Sequence, residues 1–98
     1  MAASLSARDR SRLKARAHAL EPIVQIGQSG LTDRVVAEID RALTAHELIK
    51  VRAGGHDREA RAELFADICA RTEAASVQEV GKVLVLWRAR PDEAEERP

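Results

Sequence analysis

Gly27-Gln28-Ser29-Gly30 is the short run in this chain whose residue types and spacing point most directly to chemistry, and that chemistry is anion binding. Two glycines three apart frame a tight loop. Glycine takes positive φ without penalty and lets another backbone approach closely. Ile23-Val24-Gln25-Ile26 ahead of the loop are mostly β-favouring, and Pro22 suits a strand entry better than a helix interior. Thr32 stands where an N-cap belongs, and Asp33 suits the first turn of a helix. A short buried strand, a loop and a helix start would gather unpaired backbone N–H groups and a partly positive helix end in one place. That is a site for a phosphate. Gln28 and Ser29 offer hydrogen bonds but no charge. The cations must come from Arg34 in the first turn, from Lys50, Arg52 and Lys82 downstream, and from Arg8, Arg12, Lys14 and Arg16 upstream.

Other chemistries find little footing. His18, His46 and His56 lie in three separate segments, without the spacing of a zinc or nucleophile motif. The 27–30 loop lacks the Gly-Lys-Ser/Thr ending of a P-loop. Cys69 is the single cysteine, which excludes an internal disulfide or thiolate metal cluster and suits a reducing compartment. We expect no enzyme, no cofactor and no metal.

With 98 residues, 45% hydrophobic and 33% charged, the chain suits one folded domain with a modest core. Aromatics make up 2%, so that core must be aliphatic. The net charge is zero, yet its distribution is uneven. Residues 92–98 carry four acids and one base, leaving 15 bases against 12 acids over residues 1–91. Residues 1–30 hold five bases against two acids. The division expected is a domain over residues 1–91 and a disordered acidic tail over 92–98. No apolar run approaches the ~18 residues of a membrane span.

The elements follow from periodicity and caps. Residues 6–18 read as a helix, with Ser6 as cap, Asp9 in capping-box position and an apolar stripe of Leu13, Ala17 and Leu20. That pattern favours a helix over a transit peptide. Arg8, Arg12 and Arg16 lie along one face, with Arg10 and Lys14 on the neighbouring strip. Residues 32–45 form a second helix with Val35, Val36, Ile39, Ala42 and Leu43 inward. Leu48-Ile49-Lys50-Val51-Arg52 alternates as a strand. Asp57 caps a third helix, residues 58–72, whose inner face is Leu64, Phe65, Ile68 and Cys69. Val77-Gln78-Glu79-Val80 and Val83-Leu84-Val85-Leu86-Trp87 flank Gly81-Lys82 as a hairpin. The last strand is apolar on both faces, which predicts a central position covered on both sides. Trp87 is assigned to core packing in preference to stacking on a base. The order α-β-α-β-α-β-β predicts an α/β domain of two or three layers around a mixed four-stranded sheet.

The chain resembles the CRM domain family, in particular its small stand-alone bacterial members of YhbY type. The residues that carry the likeness are Leu13-Lys14-Ala15-Arg16-Ala17-His18-Ala19-Leu20-Glu21-Pro22, then Ile26-Gly27-Gln28-Ser29-Gly30-Leu31-Thr32. Ala42-Leu43, His46-Glu47-Leu48-Ile49-Lys50-Val51 and the run from Val77 to Arg88 continue it. The likeness implies a fold similar to the C-terminal domain of translation initiation factor three. It also implies RNA binding in ribosome assembly, on precursors of the large subunit, through Gly27, Gln28, Ser29 and Gly30 with Lys14, Lys50 and Lys82. The acidic tail departs from the basic tails of relatives.

The leading expectation is therefore a monomeric cytoplasmic protein that grips precursor large-subunit rRNA and has no membrane partner. The alternative is a protein-interaction module that docks on a ribosomal protein or an assembly GTPase through an apolar strip of the first helix.

Overall fold

The computed structural model describes residues 5–89. Helix α1 spans Ala7–Ala17, strand β1 Pro22–Gln25, helix α2 Asp33–His46 and strand β2 Leu48–Arg52. Helix α3 spans Arg58–Thr72, and strands β3, Ala75–Val80, and β4, Val83–Trp87, close the chain. Each helix starts at the cap its sequence signals. Ser6 Oγ accepts from Asp9 N–H at 3.0 Å, Thr32 Oγ1 from Val35 N–H at 3.2 Å, and Asp57 Oδ1 from Ala60 N–H at 2.8 Å. These bonds satisfy backbone donors that the first helical turn leaves without a partner.

The sheet runs β1-β2-β4-β3, with β1 parallel to β2 and the other pairs antiparallel. A parallel pair needs a crossover, and α2 supplies it. Val80 pairs with Val83 across the two-residue turn, where Gly81 takes φ +58. Lys82 has no positive φ, which is the pattern of a type II′ turn.

Alternation divides the core in two. Ile49, Val51, Leu84 and Leu86 face α2 and α3 and pack with Ile39, Leu43 and Ile68. Leu48, Val77 and Val85 face α1 and pack with Leu13 and Ala17. The domain thus has three layers, α1 over sheet over α2 and α3. Strand β4 lies inside the sheet and is covered on both faces, as its unbroken apolar run requires. Trp87 packs at the margin of the α1 core.

Several expectations need correction. Strand β1 is an edge strand and only half buried: Val24 is enclosed, while Ile23 and Gln25 are exposed. A register shift at Ile23 turns that side chain outward. Ile26 falls beyond the strand but stays fully buried and donates its N–H to Arg52 O at 2.8 Å. Helix α1 ends at Ala17, and Leu20 sits outside it, exposed. Leu13 and Ala17 are buried against the sheet, so that part of the α1 apolar stripe is taken up by the domain's own core. The proposed tail, residues 92–98, lies outside the described residues.

Candidate nucleic-acid interface

The 27–30 segment closes as a turn, Gly30 N–H donating to Gly27 O at 3.0 Å, and Thr32 N–H then donates to Gly30 O at 3.1 Å. Gly30 takes φ +74, a conformation that suits glycine. Gly27 does not need positive φ, and open space surrounds the position its Cβ would occupy. The turn and the Thr32 cap therefore consume the N–H groups of Gly30, Thr32 and Val35. Those of Gln28 and Ser29, and of Asp33 and Arg34 at the start of α2, remain available to an acceptor. All four residues are exposed.

The end of the sheet that carries this loop also carries two others. Ala53 N–H, just past β2, donates to Lys82 O at 2.7 Å, and the Lys82 stem passes over Gly54. His56 Nε2 stands 3.2 Å from Gly27 O. A carbonyl only accepts, so that nitrogen carries a proton and ties the 53–57 loop to the glycine turn. Arg61 donates to His56 O at 2.7 Å and to Glu79 Oε2 at 3.2 Å, which anchors the 53–57 loop to β3.

Beside these loops, on the α1 face, lies a groove of about 430 Å³. Helix α1 crosses the lower half of that face, with Arg10 reaching Ser76 O at 3.3 Å. The upper half stays open. Register explains what lines it. Arg52 pairs with Val83, and Val83 with Val80, while Lys50 pairs with Val85, and Val85 with Gln78. Paired residues share a face, so these six form two rows of the groove floor. Lys14 and His18 border it from α1. Among the described residues, no carboxylate pairs with Lys14, Lys50, Arg52 or Lys82. The groove is positive by composition and not neutralised by its neighbours.

The structure thus brings Lys14, Lys50 and Arg52 together, with Lys82 in the hairpin turn at the same end of the sheet as Gly27, Gln28, Ser29 and Gly30. It does not bring in Arg8, Arg12 or Arg16. At 100° per residue, Arg12 stands about 160° around α1 from Lys14, on the opposite flank. Arg12 pairs with Asp9 at 3.4 Å. Arg8 lies on the same outward side. Arg16 borders a separate hollow with Leu20, Ile23 and His46. Arg34, in the first turn of α2 after the glycine turn, is 88% exposed and lies 3.8 Å from Glu38. His18 and His56 join the site; His18 lies in a stretch that carries the family likeness, while His56 sits in no motif. The spacing of His18, the C-cap of α1, four residues after Lys14 also hinted that the two share a side.

Comparison with known proteins sets this arrangement among relatives. A protein of Haemophilus influenzae named "RNA-binding protein" is 47% identical over 85 residues, which span 87% of this chain and 86% of that one. "Probable RNA-binding protein PA4753" of Pseudomonas aeruginosa is 35% identical over 90% of this chain and 85% of its own. The solution structure of SAV1595 from Staphylococcus aureus superposes with a TM-score of 0.79 at 30% identity, covering 88% of this chain and 90% of that one. Residues 5–88 match the model of the CRS1 / YhbY (CRM) domain, and the chain belongs to that family.

Proposed function

We propose that this protein binds RNA in the cytoplasm as a monomer, without catalysing a reaction, and serves assembly of the large ribosomal subunit. The observation that carries the reading is the convergence of unpaired cations beside the glycine turn. Lys14, Lys50 and Arg52 come from a helix and a strand, and Lys82 from a hairpin at the same end of the sheet. A polyanion's backbone can run from the free N–H groups of the 27–34 segment into the groove, where each cation meets a phosphate. Relatives named for RNA binding support the same partner. The family resemblance supports precursor large-subunit rRNA as the RNA.

Two variants test the grip. Gly27→Asp places a negative charge in open space at a residue that needs no special φ, so folding survives. Lys14→Glu/Lys50→Glu reverses charge in the groove. Both should weaken binding to rRNA fragments at least ten-fold. Unchanged affinity in both would end the proposal. Sedimentation with large-subunit precursors, compared with mature subunits, tests the assembly role.

A further inference from the structure

The groove is more than a charged surface. Half of its floor is apolar: Val80, Val83 and Val85 stand beside Lys50, Arg52 and Gln78, with Pro22 at the β1 side. Phosphates need no such floor. Val80 is 54% exposed, one of three large hydrophobic residues so exposed among the described residues. The volume falls within the range of small-ligand sites, and a nucleotide is of that size class. Donors stand around these valines, Lys14 and His18 on the helix side and Lys50 and Arg52 on β2. A surface for backbone alone would be polar throughout, and a protein-docking patch would carry fewer uncompensated cations.

We propose that the groove between α1 and the upper half of the sheet takes one unstacked nucleotide of the bound RNA. The base lies on the valine floor between His18 and Arg52, and its phosphates meet Lys14 and Lys50. This deepens the RNA-binding reading above and rests on it. Bases taken out of a helix stack on aromatic side chains or on arginine planes. Phe65 packs with the α2–α3 core and Trp87 with the α1 core, so neither is available. His18 and Arg52 are the planar groups left at this site. Gln78, on the same face as Val85, offers an amide to the edge of the base.

The test compares two dodecamers of equal charge by fluorescence anisotropy: oligouridylate and an abasic ribose-phosphate chain. The wild-type protein should bind oligouridylate about ten-fold tighter, the order of one stacked base. Val80→Ser and His18→Ala, both at exposed positions, should remove most of that advantage. Val80→Ser should leave the affinity for the abasic chain and the salt slope unchanged. Lys50→Gln should instead weaken both dodecamers. Thermal melting confirms that each variant folds. Equal binding of the two dodecamers by wild type, or equal loss of both in Val80→Ser, overturns the nucleotide site and leaves RNA binding standing. If neither dodecamer nor rRNA fragments bind, the RNA-binding reading falls and this inference with it.

Discussion

Arg88 Nη1 lies 2.6 Å from Asp40 Oδ1, joining the residue after β4 to the middle of α2. The same guanidinium donates to Thr72 O, Asp40 O and Thr44 Oγ1, and its side chain is 17% exposed. Thr72 is the last residue of α3, whose carbonyl has no partner within the helix. One forked donor therefore fastens two helices to the end of the sheet. Arg88→Ala should cost about 2–3 kcal/mol in urea unfolding. Arg88→Lys should recover less than half, because an ammonium cannot reproduce the planar fork. Full recovery by lysine would show that charge alone matters.

The two glycines of the turn should respond differently to alanine. Gly30→Ala forces a side chain onto φ +74 and should cost about 1 kcal/mol. Gly27→Ala meets no neighbour and no unusual φ, so stability should hold or rise slightly. If Gly27 serves close approach of RNA, Gly27→Ala should still weaken binding. Paired melting and affinity measurements separate the two roles.

Salt dependence should sort the cations. Lys14→Gln, Lys50→Gln, Arg52→Gln and Lys82→Gln should each lower the slope of log affinity against log salt by about 1. Arg8→Gln and Arg12→Gln, on the far side of α1, should leave it unchanged. A larger effect from Arg12 than from Lys50 would relocate the interface.

Burial against the α2–α3 core raises the Cys69 thiol to about 11, from an ordinary value of 9.0. The folded state thus holds the thiol proton more tightly than the unfolded chain does. The associated stability is present below pH 9 and is lost as pH rises through about 11. Cys69→Ala should flatten the fall of melting temperature across that window. Native Cys69 should also react slowly with thiol reagents at pH 8 and quickly in denaturant.

Much of the fold was legible because its signals are local. Ser6, Thr32 and Asp57 mark helix starts through bonds that span three residues. The Gly81-Lys82 turn and the two-faced run of β4 likewise need no distant information. The glycine turn was legible for the same reason. The side from which α1 meets the sheet was not. Periodicity gives each side chain an angle around the axis and turned Leu13 and Ala17 inward, but only their packing against the sheet shows which flank of the helix faces the groove. That choice admits Lys14 and His18 and turns Arg8 and Arg12 away. Long-range arginine contacts were equally hidden. Arg10, Arg61 and Arg88 look like surface cations in sequence, yet each reaches a backbone carbonyl on another segment.

Helix α1 precedes every strand of the domain, yet it rests on β2, β3 and β4 together. Arg10 and Ser76 are 66 positions apart. Before the β3–β4 hairpin forms, this helix has only part of the surface it lies on, and the rest comes through contacts of long sequence separation. The groove has a wall from the first helix of the domain and a floor shared by β2 and the closing hairpin, so its two sides exist together only when the whole domain has folded.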